Sequence, residues 1–170
     1  MAFILSEDRD DDSRNGYAEY LAYLHANEHR FPPGAYALAT SDWYVGFSDR
    51  RAPHDAWLRE AAITEAGDAA GGGVSIRIHL LNGAGDGLIE LVYPRVHAYR
   101  LNLHHGERGH RDWRYDEFRL TDDGHLLHEI EWWSSEETGT WLIEADDVEH
   151  RFVALDAGAA ASPPSPSTPA

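Results

Sequence analysis

"VSIRIHLLNGAGDGLIELVY", residues 74–93, is the stretch that decides the fold. Val74, Ile76, Ile78 and Leu80 alternate with Ser75, Arg77 and His79, the period of a strand with one buried face. "NGAGDG" (82–87) is turn chemistry, and an apolar run resumes beyond it in "GLIELVY". Two such runs around a glycine-rich turn predict a β-hairpin. Downstream, Pro94 is read as ending one strand, with "VHAYRLNL" (96–103) starting the next. "YDEFRL" (115–120), the turn "TDDG" and "HLLHEIEWW" (125–133) predict a second hairpin. "WWSSEETGTWLIEA" (132–145) predicts a third, and "VEHRFVAL" (148–155) a closing strand.

Upstream the period changes. Tyr17, Tyr20, Leu21 and Leu24 fall at i, i+3, i+4 and i+7, the apolar stripe of an amphipathic helix. Ser13 or Asn15 can cap its start, and "FPP" (31–33) stops it. Pro33 can open a second short helix through "GAYALAT". "HDAWLREAAI" (54–63) then reads as the first strand. Helices first and consecutive strands later predict an α+β fold, one or two N-terminal helices packed on a mostly antiparallel sheet of about seven to eight strands. The expectation is a single domain over residues 1–156. Its first fifteen residues are acidic and mobile, and residues 157–170, rich in Ala, Pro and Ser, form a disordered tail.

The bulk composition restricts the chemistry. With 170 residues and no cysteine, the chain makes its core without disulfides. There is no lysine, which excludes Schiff-base catalysis, a phosphate-loop lysine and a Ser–Lys dyad. The start carries no signal-peptide pattern and no apolar run approaches the ~20 residues of a membrane span, so a soluble cytoplasmic protein is expected. A net charge of −16 opposes nucleic-acid binding and favours a basic protein partner.

Candidate sites begin with histidine. His54 and Asp55 in "APHDAWL" can be a ligand pair, but neighbours in a strand point to opposite faces. Pro53 before them and Trp57 and Leu58 after them favour a structural signature, His54, Asp55 and Trp57, where the helical half meets the sheet. "NLHHGERGHRDW" holds His104, His105 and His110, which lack a recognised metal-ligand spacing. No nucleophile elbow is present, and the glycines of "AGGGVS" precede a strand rather than follow one. No cofactor is expected. Asp116 and Glu117 are adjacent and diverge, a poor acid–base pair, and Trp113, Tyr115 and Phe118 are read as pinning a surface hairpin.

The last strands carry more signal. From His125 to Asp156 there are nine acids and one arginine, half the net charge. Alternation puts Leu126, His128, Ile130 and Trp132 on one face of the strand. Glu129, Glu131 and Trp133 go to the other, joined by Leu142 and Glu144 from the next strand. Like charges across a sheet repel, so something should offset this arrangement; a basic partner would do so, and the alternative is a solvated outer face with Trp133 covered by another element. Aromatic groups amid acid suit an interface for a basic protein.

The order "PHDAWL", two alternating strands with a "V-x-x-Y" turn, "LLHEIEWW" and "WLIEADDVEHRF" resembles a group of small bacterial domains. These include immunity proteins of polymorphic toxin systems and the set related to YxiG-type proteins. The resemblance implies a non-enzymatic domain that binds and neutralises a toxin, and it implies no catalytic residues. The reading is therefore a small acidic, immunity-like binding protein. The alternatives are a metal- or acid–base-dependent hydrolase using His54, Asp55 and the 104–110 loop, or a housekeeping domain without activity. Oligomeric state is left open.

Overall fold

The computed structural model of the chain describes residues 2–5, 14–67, 72–102, 109–133 and 138–155. Helices α1 (Arg14–Ala26), α2 (Pro33–Ala39) and α3 (Asp42–Val45) come first, with a 3-10 turn (Glu28–Arg30) after α1. Seven strands follow: β1 (Trp57–Ala66), β2 (Gly73–Leu81), β3 (Gly87–Leu101), β4 (Asp112–Leu120), β5 (Leu126–Trp133), β6 (Thr138–Ala145) and β7 (Glu149–Ala154). Every pairing is antiparallel, so the fold is α+β with an antiparallel sheet. The expected tail and residues 6–13 of the acidic start lie outside the described residues.

The central hairpin forms as its alternation dictates. Ile76, Ile78, Leu80, Ile89, Leu91 and Tyr93 are fully buried. Asn82 fastens the turn: its side-chain oxygen accepts from the backbone of Asp86 and Gly87, each at 3.0 Å, and its amide donates to the Arg50 carbonyl.

Pro94 does not end a strand, which corrects the sequence reading. β3 runs unbroken through it, so two of the expected strands are one, and the described residues hold seven strands, within the expected seven to eight. On one edge β3 pairs with β7 up to Val92 and with β6 from Val96. On the other, its register with β2 shifts between Tyr93 and Val96. Proline therefore sits where neither neighbour needs its missing N–H.

The pairings close into a ring, β1–β2–β3–β6–β5–β4 and back to β1, with β7 continuing β6 along β3. The β4–β1 seam has a single paired position, Trp57 with Asp112, extended by backbone bonds from Asp55 N to Trp113 O and Trp113 N to Ala56 O. Beyond that point α1 supplies what a strand would. The Tyr20 hydroxyl accepts from Phe118 N at 2.7 Å and donates to Phe118 O at 3.2 Å, and Tyr23 accepts from Leu120 N. The chain start joins in, because the backbone of Phe3, Ile4 and Leu5 donates to Glu117 Oε2. Tyr20→Phe leaves both Phe118 backbone groups buried without partners, and the expected loss is about 1–3 kcal/mol in urea unfolding. A variant as stable as wild type would show that the tyrosine does not seal the seam.

α2 begins beneath β7. The Asp147 carboxylate accepts from Gly34 N and Ala35 N, replacing a capping residue at a start occupied by prolines. Gly34 permits this approach, since a Cβ there would lie 2.3 Å from the Val148 carbonyl.

Candidate functional site

Two polar or aromatic assemblies stand out, one inside the sheet and one outside. The inner one grows from alternation on β5, which turns His128 toward the core between Leu126 and Ile130. His128 is fully buried, with its ring stacked 4.0 Å from Phe118. Its Nε2 lies 3.0 Å from Asp116 Oδ2 and its Nδ1 2.5 Å from the Tyr93 hydroxyl. The carboxylate only accepts, so the ring donates to it through Nε2, while Nδ1 shares a proton with the Tyr93 hydroxyl. Tyr44 donates to the same Asp116 oxygen at 2.6 Å, and Trp113 Nε1 to the other at 2.9 Å. Burial, then the Asp116 charge, pushes the Tyr44 and Tyr93 phenols well above their ordinary value and keeps them protonated.

This Tyr–His–Asp chain has the parts of a general-base system, enclosed within the core. The space beside Asp116, lined also by Tyr17, Tyr20 and Tyr44, is about 20 Å3, the size of one water. Its role is to hold β3, β4, β5 and α3 together. Trp113 and Phe118, read from sequence as pins of a surface hairpin, are instead fully buried. The register shift between Trp113 and Tyr115 and the cover from α1 and α3 account for the difference.

The outer assembly is a row of exposed rings. Trp57, Asp112, Trp133 and Thr138 are successive register partners across β1, β4, β5 and β6 and so share one face. Trp57 and Trp133 are 52% and 44% exposed. Arg114 lies over the Trp133 ring at 5.7 Å and over Tyr115 at 5.0 Å. Beyond Tyr115 the row continues to His54 and Phe47, whose rings are 4.3 Å apart, with Phe47 49% exposed.

The predicted residues fall unevenly around this row. His54 Nδ1 meets the Arg114 carbonyl at 2.7 Å, and its Nε2 is 3.5 Å from Asp55. Asp55 has φ +58, the left-handed region, in the turn that delivers its N–H to Trp113. Leu58 packs against the core, whereas Trp57 faces out. His110 packs against the buried Trp132 and Trp141 and also borders the gap beside Trp57. His104 and His105 lie outside the described residues. Among the described residues no group of three or more His, Asp or Glu is placed to hold a metal ion, and no helix is long and apolar enough to cross a membrane.

The acidic face carries polar partners of its own. Glu129 pairs with Arg119, which also contacts the buried Glu117 at 2.8 Å. Glu144 pairs with His125 at 2.7 Å, and Asp146 with His97 at 2.6 Å, the two imidazoles stacked 3.9 Å apart. Glu131 is nearly buried and Leu142 half-buried. Sequence alternation placed these acids on one face; their cross-strand partners, one arginine and two imidazoles, which it could not pair, come from β3, β4 and the turn before β5. Trp133 is what that face leaves exposed.

Burial holds His110 and His150 below the ordinary imidazole value of 6.5. Both stay neutral in the fold while the unfolded chain takes up protons. Their contribution is complete above about pH 6.5 and is lost as pH falls from there toward their lowered values. Urea unfolding at about pH 7.5 and 5.8 should therefore show lower stability at the acid point. Replacing both residues with glutamine should shrink that difference; an unchanged difference would refute it.

No family model matches the chain, and no curated protein and no solved structure is significantly similar to it.

Proposed function

We propose that this chain is an immunity-like binding protein that docks a basic protein partner on the outer face of its sheet. The observation that carries the reading is the row Phe47, Trp57 and Trp133, three large rings left half in water on one side of a chain with net charge −16. Half-exposed tryptophans amid polar groups are the common anchors of protein interfaces. The surplus negative charge steers a basic partner toward them. Binding is favoured over catalysis because the His–Asp pair is enclosed within the core, and His54 is occupied with the Arg114 backbone.

Pull-down from the native host, followed by reconstitution of the captured protein, tests the proposal. The expected partner is basic and binds saturably, and Phe47→Ala with Trp133→Ala weakens it roughly thirtyfold or more, the loss of about 2 kcal/mol typical of anchor residues. Co-expression should also protect cells from that partner if it is a toxin. Recovery of no partner, together with no protection against any neighbouring toxin, would overturn the reading.

A further inference from the structure

β1 and β4 meet at Trp57 and Asp112 and then part. The parting is set in the backbone: Gly109 at φ +75 and Arg111 at φ +66 turn the chain away before β4 begins. A left-handed arginine is a strained residue, held there by its surroundings. The turn leaves a cleft of about 420 Å3 between Trp57 and Leu58 on one wall and Gly109, His110, Arg111 and Asp112 on the other. That volume is within the range of side-chain and small-ligand pockets.

The cleft offers a particular surface. The Trp57 indole N–H donates to Asp112 Oδ1 at 2.5 Å, so the edge of the ring is fixed and its face stays open to water. Elsewhere the molecule covers such faces itself. Arg51 lies over Trp43 at 4.6 Å, and Arg114 over Trp133 at 5.7 Å. Among the described residues no cation lies over Trp57.

We infer that the Trp57 cleft is the socket for an arginine side chain of the basic partner, its guanidinium stacked on the indole and bonded to the Asp112 carboxylate. The inference rests on the binding reading above and names the chemistry of its anchor. A planar guanidinium stacks on an indole and bonds a carboxylate at once, which a lysine ammonium does less well. The net charge of −16 disfavours an anionic occupant. His110, kept neutral by burial, adds no repulsion. Arg111 on the exposed rim is the opposing charge, and solvent screens it.

Titration of the full chain with an oligoarginine peptide and an oligolysine peptide of equal length, at low salt and read by tryptophan fluorescence, tests this. Oligoarginine should bind more tightly than oligolysine. Trp57→Ala should weaken oligoarginine roughly tenfold, and Trp57→Phe, which keeps a ring, by less. Asp112→Asn should also weaken it, whereas Arg111→Gln should tighten it by about twofold. Equal binding of oligoarginine to wild type and to Trp57→Ala would overturn the socket and leave the basic-partner reading standing. Binding of neither peptide would take down the basic-partner reading itself.

Discussion

Asp116→Ala is expected to destabilise the fold by about 3–5 kcal/mol, the range for removing one member of a buried charged network. The carboxylate accepts from Tyr44, Trp113 and His128 at 2.6, 2.9 and 3.0 Å, and its side chain is 9% exposed. Alanine leaves an imidazole, a phenol and an indole N–H without their acceptor in a region too tight to admit much water. Each orphaned group costs more than the bond it made was worth. Tyr44→Phe removes only one donor and should cost about 1 kcal/mol. Urea unfolding of the two variants decides the point. An Asp116→Ala loss no larger than that of Tyr44→Phe would mean that the carboxylate is not the hub joining helices to sheet.

Trp132→Ala should cost a similar amount, about 3–5 kcal/mol, for a different reason. Trp132 sits edge-on between Trp113 at 5.3 Å and Trp141 at 5.0 Å, with His110 5.2 Å away. Truncation opens a large cavity that three rigid neighbours cannot fill. Trp132→Phe separates ring packing from polarity. The indole N–H is buried without a hydrogen-bond partner among the described residues, so phenylalanine removes an unsatisfied donor while keeping an aromatic ring. Its cost should be under half that of alanine. Equal costs would show that the ring stack itself contributes little.

What the sequence revealed follows from which forces are local. The Val74–Leu80 alternation and the "NGAGDG" turn are properties of neighbouring residues, so the central hairpin was legible. The same alternation put His128 and Trp133 on opposite faces, as the structure has them. Pro94 misled because its tolerance depends on where β6 gives way to β7 along the opposite edge, a non-local fact. The Asp116 hub was hidden for a related reason. Asp116, His128, Tyr93 and Tyr44 come from four separate elements, and no spacing in the chain connects them. Spacing could not pair the acids of β5 and β6 with Arg119 and His125, because those contacts form only across strands. His54 and Asp55 looked chemical as a dipeptide; in the fold they shape the turn into β1 and support the row of rings.

The most direct test of the docking face is the response of the six tryptophan indole N–H resonances to a basic protein partner. Trp113, Trp132 and Trp141 are buried in the core, while Trp57 and Trp133 stand on the outer face. On titration with the partner, the Trp57 and Trp133 signals should shift saturably and the three buried signals should hold still. Shifts confined to other tryptophans, with Trp57 and Trp133 unmoved at saturation, would contradict the assignment of this face as the interface.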